Sequence, residues 1–202
     1  MYKRQSIAFD LTVTSVYTPL TTGNTLYIYE DSNPQLLLKK IIDDKKVQIL
    51  KLTPAHLSLL QDIISNSTIT KLIVGGDILS TEICKKTTQI FNNKVQIFNE
   101  YGPTEATVGC MTYTYSNTDD YNYSSVPIGI PATNTKIYLL NKDLNLIPFG
   151  YPGQIFIGGK CLSIGYLNLD NITKERFINS PFYNNEIIYS TGDIACLLYT
   201  SD

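Results

Sequence analysis

The sequence predicts an α/β fold in two parts. The first is part of a layered αβα parallel-sheet subdomain over residues 1–116. The second, residues 117–202, is a small, mainly antiparallel β-barrel-like subdomain. Three observations carry this reading. Apolar runs alternate with capped amphipathic segments in the first half, as parallel strands joined by helical crossovers require. A polar tract, Ser116 to Ser125, then interrupts the pattern. Beyond it the apolar runs become short and glycine-punctuated, the signature of paired strands.

Each element has its local cause. In "SNPQLLLKKIIDDKK", Ser32 or Asn33 is the N-cap and Pro34 takes the first helical position, where its missing N–H costs nothing. "KVQILKL" reads as a buried strand. In "TPAHLSLLQDIIS", Thr53 caps, Pro54 opens the helix, and Leu57, Leu60 and Ile64 share one face. "ITKLIVGG" is the next strand, "STEICKKTTQIF" a helix capped by Ser80, and "KVQIFN" a further strand. After the polar tract come "VPIGIP", "TKIYLLNKDLNLIP" with a turn at "NKDLN", "GQIFIGG", and one helix near "NITKERF".

Composition removes several function classes. The 202 residues are 43% hydrophobic and carry a net charge of -2, so no basic field exists for nucleic acid and no polybasic run for a lipid surface. Apolar runs such as "KLIVGG" and "CLLY" are too short to span a bilayer. The start "MYKRQSIAFD" lacks the apolar core of a signal peptide. Cys84, Cys110, Cys161 and Cys196 are scattered, with no CxxC, as reduced thiols of a cytoplasmic protein would be. His56 is the one histidine, which argues against His-based nucleophilic sites and multi-histidine metal sites. On a helix it reads as structural.

Ligands of open α/β sheets bind at the carboxyl ends of strands, and three polar clusters fall there. They are "KLTP", "GGD" (Gly75 to Asp77) and "NEYGPTE" (Asn99 to Glu105). Gly75 and Gly76 let the backbone approach a flat ligand closely. Tyr101 can stack on a base, Thr104 can donate to a phosphate, and Glu105 is a hard oxygen ligand suited to Mg²⁺. The alternative is a tight turn with a solvated rim, and the pattern alone favours neither. Lys51 follows Val47 and Ile49 on one strand face that looks buried. Its ammonium either snorkels to solvent or has a buried partner. Asp10 stands directly behind an apolar run, either as a turn or cap residue or as a site carboxylate.

The motifs "AFDLTV", "IVGGDIL", "NEYGPTEATVG", "VPIGIPATNTKIYLLN", "GQIFIGGKCLSIGYLN" and "YSTGD" occur, in this order, over about Ile7 to Asp193. The chain thereby resembles adenylation domains of nonribosomal peptide synthetases, within the acyl-adenylate-forming ligases. The resemblance implies that an amino-acid carboxylate attacks the α-phosphorus of ATP, giving aminoacyl-AMP and pyrophosphate. The aminoacyl group then passes to the phosphopantetheine thiol of a peptidyl carrier protein. It further implies that Tyr101 stacks on adenine, Thr104 contacts phosphate, Glu105 holds Mg²⁺, and Gly75 and Gly76 border the adenine and substrate pockets. Asp193 in "STGD" would accept from the ribose hydroxyls, and Asp10 would pair with the substrate ammonium.

The family's side-chain pocket maps here onto Asp10, Leu11, Thr14, Lys51, Ile73, Gly75, Glu100, Val108 and Gly109. That string, D-L-T-K-I-G-E-V-G, resembles the pocket of asparagine-activating domains. The chemistry agrees: Lys51 only donates, ionised Glu100 only accepts, and a primary carboxamide fits between them with both ends satisfied. Aspartate, second in rank, would set a carboxylate against Glu100. Glutamine, third, adds a methylene that a pocket rejects by only about 1–3 kcal/mol.

Some positions depart from the family pattern: Ser190 stands for a usual Lys or Arg, Gln154 for Glu, Cys161 for Gly and Ile164 for Arg. The sequence starts just before the aspartate motif and stops just after "STGD". The family's phosphate loop and C-terminal lysine-bearing subdomain are therefore expected partners, and the chain alone is expected to be inactive. Two other readings stay beside this one. A stand-alone ligase for D-alanine or an acyl group would have no use for the Lys51–Glu100 charges. A non-catalytic remnant acting as an interaction module is favoured by the Ser190 and Ile164 departures.

Overall fold

In the computed structural model, residues 2–3, 9–30, 33–62, 67–116 and 123–198 are described. Ser32, Ile64 and 117–122 of the polar tract lie outside them. The chain divides into two compact units, residues 1–102 with 111–130, and residues 103–110 with 131–202.

The first unit is built on a mixed sheet. Its strands are β1 (Tyr2–Lys3), β2 (Tyr27–Ile28), β3 (Ile49–Leu52), β4 (Lys71–Gly75), β5 (Gln96–Tyr101) and β6 (Met111–Tyr115), with β7 (Ile130–Pro131) following at the edge. Their order is β2-β1-β3-β4-β5-β6-β7. The pairs from β2 to β5 are parallel, whereas β6 runs antiparallel to β5. The helices are α1 (Thr12–Thr21), α2 (Pro34–Asp44), α3 (Pro54–Ser58) and α4 (Thr81–Ile90).

Capping follows the prolines. Asn33 Oδ1 accepts from Gln35 N at 2.9 Å and Leu36 N at 3.2 Å, with Pro34 at the first position of α2. Thr53 caps α3 ahead of Pro54, and its Oγ1 lies 2.7 Å from His56 Nδ1, which gives that histidine a structural partner. Ser80 holds the N-cap position of α4, but its side chain makes no capping bond. Instead it forms a β-bridge with Ser125.

Strand alternation divides labour between the two faces of this sheet. Leu50 and Leu52 of β3, Leu72 and Val74 of β4, and Ile97 of β5 form one core with Leu37, Leu38, Ile41 and Ile42 of α2, Leu57 of α3 and Cys84 of α4. The opposite face therefore carries Lys51, Ile73, Gly75 and Glu100. Parallel register sets Lys51 beside Ile73 and Gly75 beside Glu100.

The second unit holds β8 (Thr135–Leu140), β9 (Pro152–Gly159), α5 (Asp170–Arg176), β10 (Phe177–Asn179) and β11 (Ile187–Cys196). These strands are antiparallel in the order β10-β11-β9-β8. The sheet is open where the sequence suggested a barrel-like closure. Four strands are too few to wrap a packed interior and return to their own edge. The "NKDLN" segment turns as read, with Asn141 N donating to Asn145 O at 2.9 Å. Its return arm makes a single bridge, Leu140 to Leu146, and no ladder.

Candidate functional site

In the first unit the site grows from the ends of β3, β4 and β5 and from the turn before α1. Lys51 is buried, its side chain only 3% exposed, and does not reach solvent. Its Nζ donates to Glu100 Oε2 and to Thr14 Oγ1. Glu100 is itself 11% exposed. Thr14 comes from α1, so this helix delivers a hydroxyl to the polar face of the sheet. Two opposite charges withdrawn from water are held in contact, because each would otherwise stand buried and unpaired.

This differs from the arrangement expected from sequence, in which an amide fits between the two groups. Here the pair closes on itself. Lys51 has three N–H donors and Glu100 two oxygens, so the two residues can also serve a polar ligand alongside the ion pair.

Other residues of the expected pocket lie in the same unit. Asp10 sits in the turn before α1, half-buried, and its Oδ1 accepts from Leu11 N at 2.6 Å. Leu11 is half-buried at the N-cap of α1. Gly75 is buried, and a Cβ there would lie 2.7 Å from the Glu100 carbonyl oxygen. Gly76 has φ +89, a backbone conformation suited to glycine, and faces Leu11 Cδ1 and Thr53 Cγ2. Ile73 is half-buried and is the register partner of Lys51. Tyr101, half-buried, closes β5 opposite Met111.

Thr104, Glu105, Val108 and Gly109 belong to the second unit. Thr104 is exposed at the start of a single 3₁₀ turn, Thr104–Ala106. Thr107 and Val108 follow with φ +56 and +70, unusual for β-branched residues and held in place by the surroundings. Thr107 Oγ1 donates to the Cys161 carbonyl, Gly109 N donates to Thr107 O at 2.9 Å, and Val108 is buried. Glu105 is tied at both ends. Ser163 N donates to its backbone oxygen at 2.8 Å, and the Tyr166 hydroxyl donates to its Oε1.

Tyr166 and Tyr189, whose hydroxyls lie 3.3 Å apart, are partners of Glu105 that sequence reasoning does not single out. Both stand in quoted motifs, "SIGYLN" and "YSTGD", but a tyrosine beside a strand reads as packing until its oxygen is placed. Burial, reinforced by the hydrogen bond to Glu105, holds the Tyr166 hydroxyl above the usual phenol range. Burial, followed by bonds to Tyr166 and Glu105, does the same for Tyr189. Both remain protonated donors near neutrality.

Asp193 is exposed at a β-bulge between Ser190 and Ile194 of β11. Its N–H donates to Thr191 Oγ1 at 2.9 Å, and that hydroxyl donates to Ile155 O at 2.8 Å. Gly192, at φ +87, allows the turn of chain that presents the aspartate.

Among the described residues no group of three or more His, Cys, Asp or Glu side chains forms a metal cage. Glu105 is a single hard carboxylate. That donor set fits Mg²⁺ held chiefly by nucleotide phosphates and water, and does not fit an all-protein cage. Among the described residues no helix is long and apolar enough to cross a membrane.

Residues 4–167 match the family described as AMP-binding enzyme. The chain belongs to that family. Within it, the likeness is to adenylation domains of nonribosomal peptide synthetases. Over 194 residues the chain is 47% identical to bacitracin synthase 3 of Bacillus licheniformis, and over 191 residues 46% identical to tyrocidine synthase 3 of Brevibacillus parabrevis. Each alignment covers 94% of this chain, which spans only 3% of each of those proteins.

Among solved structures, an NRPS protein containing adenylation and PCP domains superposes with TM-score 0.86 at 25% identity, covering 97% of this chain and 40% of that one. The N-terminal subdomain of Klebsiella oxytoca NpsA in complex with 3-hydroxyanthranilyl-AMSN gives TM-score 0.82 at 25% identity, covering 96% and 49%.

Proposed function

We propose that this AMP-binding chain carries the amino-acid pocket and part of the nucleotide site for adenylation of asparagine by ATP, followed by transfer to a carrier-protein phosphopantetheine thiol in the cytoplasm. The observation that carries this reading is the buried Lys51–Glu100 ion pair with Thr14 on the ligand-facing side of the sheet. An apolar or methyl side chain gains nothing from two buried charges. A carboxamide can accept from the third Lys51 N–H and donate to the second Glu100 oxygen, leaving no buried polar group without a partner.

The remaining roles follow from chemistry. Asp10 supplies the carboxylate for the substrate ammonium, with Leu11, Ile73, Gly75, Val108 and Gly109 as pocket walls. Tyr101 and Gly76 serve the adenine, Thr104 a phosphate oxygen, and Asp193 the ribose hydroxyls. Glu105 would hold Mg²⁺, which, when bound, offsets phosphate charge as the substrate carboxylate approaches. The chain's own contribution is positioning of two anionic reactants. Because the chain spans 40% and 49% of its structural relatives quoted above, the whole reaction is proposed for this chain joined to the further lengths they carry, and not for 202 residues alone.

The test is amino-acid-dependent ATP–pyrophosphate exchange by a complete adenylation domain carrying this chain. Asparagine is expected to drive exchange best, aspartate second and glutamine third. Best exchange with D-alanine, or with an acid that lacks an α-ammonium, would overturn the assignment.

A further inference from the structure

The Glu105 carboxylate is not presented by its own turn alone. Its Oε1 accepts from the Tyr166 hydroxyl. That hydroxyl has one proton and has spent it, so the Tyr189 hydroxyl 3.3 Å away gives its own proton to the Tyr166 oxygen or to Glu105, both of which it bonds. Either way both phenol protons are directed toward the Glu105 carboxylate. Such a network holds the carboxylate more firmly than one donor would.

The two rings are themselves held. Tyr189 is buried on β11, and its ring lies 4.9 Å from that of Phe177. Tyr166 meets the edge of the same Phe177 at 5.8 Å. The segment bearing Tyr166 is pinned from two sides. Tyr166 N donates to Thr173 Oγ1 of α5 at 2.9 Å, and Ser163 N donates to Glu105 O at 2.8 Å. Gly165, at φ +135, lies so close to Thr173 that a Cβ would stand 2.5 Å from Thr173 Cγ2. A surface tyrosine that only packs would need none of these constraints on the direction of its hydroxyl.

We propose that Tyr166, backed by Tyr189, is a positioning residue for the metal-holding carboxylate. It fixes the rotamer of Glu105 and leaves one carboxylate oxygen to meet the cation. This rests on the reading of Glu105 as the Mg²⁺ ligand. Partners that orient a metal ligand without touching the metal are a general feature of metal sites, and their loss weakens metal affinity by about 10–100-fold.

The experiment measures Mn²⁺ binding, by the loss of the free-ion electron paramagnetic resonance signal, to the complete domain saturated with ATP. Metal-free ATP binding and the unfolding midpoint are measured in parallel. Tyr166→Phe keeps the ring and removes the donor. It is expected to weaken Mn²⁺ binding by about tenfold or more, with metal-free ATP binding unchanged. Tyr189→Phe leaves the Tyr166–Glu105 bond in place and is expected to give a smaller loss of the same kind. Glu105→Gln is expected to abolish the protein-dependent part of Mn²⁺ binding. Parental Mn²⁺ affinity in Tyr166→Phe alongside a loss in Glu105→Gln would overturn the tyrosine proposal and leave the Glu105 reading standing. Parental affinity in Glu105→Gln would overturn both. Weakened metal-free ATP binding in Tyr166→Phe, in step with Mn²⁺, would mark a general structural role and overturn the proposal too.

Discussion

Gln154 Nε2 donates to Ser190 Oγ across 2.6 Å, joining β9 to β11 beside the bulge that carries Asp193. By the resemblance described above, both positions depart from the usual residues, Glu at the first and Lys or Arg at the second. The two departures touch, so an amide facing a hydroxyl stands where a carboxylate would face a cation. Gln154→Glu and Ser190→Lys are each expected to destabilise the chain, and the double change to restore it. A coupling energy of about 1 kcal/mol should appear in a denaturant double-mutant cycle. Additive single effects would show that the two sites are independent.

The buried ion pair makes a prediction on two axes. Glu100→Ala leaves the Lys51 ammonium buried beside Thr14 alone, at a cost of about 3–5 kcal/mol in unfolding free energy. Lys51→Met combined with Glu100→Gln buries no charge and should recover most of that loss. In pyrophosphate exchange by the complete domain, Glu100→Ala should lower the asparagine-to-aspartate ratio by about tenfold, since an acidic side chain would then meet only a cation. An unchanged ratio contradicts the pocket assignment.

Thr87 is fully buried in α4, and among the described residues its hydroxyl is the one buried side-chain group with no hydrogen-bond partner. Thr87→Val removes that group while keeping a branched side chain. A gain of about 1 kcal/mol in urea unfolding is expected. A loss of stability would mean that the hydroxyl does have a partner.

Stability should fall at alkaline pH. Burial pushes the Cys84 thiol up to about 12. Burial, with a hydrogen bond to Asp44, takes Tyr29 to about 12, and burial with Glu186 does the same for Tyr138. All three bind their protons more tightly folded than unfolded. Their contribution is therefore fully present below about pH 8, where the unfolded chain's thiol and phenols are still protonated, and is lost as pH rises toward about 12. Urea midpoints measured across that range should decline, and Tyr138→Phe should flatten the decline above about pH 10. A level profile would contradict the burial of these groups.

Much of the first unit is legible in the sequence because its signals are local. Pro34 and Pro54 mark helix starts that the backbone obeys, and Asn33 and Thr53 cap as their chemistry requires. Lys51 is legible as an anomaly, a charge behind Val47 and Ile49, although only coordinates supply its partner. Helix α1 is not legible, because "TVTSVYTPLT" is rich in β-branched residues and contains Pro19, all poor helix signals. Tertiary placement decides that segment. The antiparallel β6 is equally hidden, since strand direction is a property of pairing and not of the strand itself. The contact between Lys51 and Glu100 replaces an expected gap because sequence spacing across 49 positions carries no distance.

The tight approach at Gly75 limits how this pocket can diversify. A side chain there would drive its first carbon to 2.7 Å from the neighbouring strand's Glu100 carbonyl, so any larger residue must wedge β4 from β5 and loosen the glutamate proposed above to select the ligand. New preferences are thus most accessible through Thr14 and Ile73, whose side chains already occupy space, with the glycine acting as an evolutionary fixed point around which the rest of the slot is retuned.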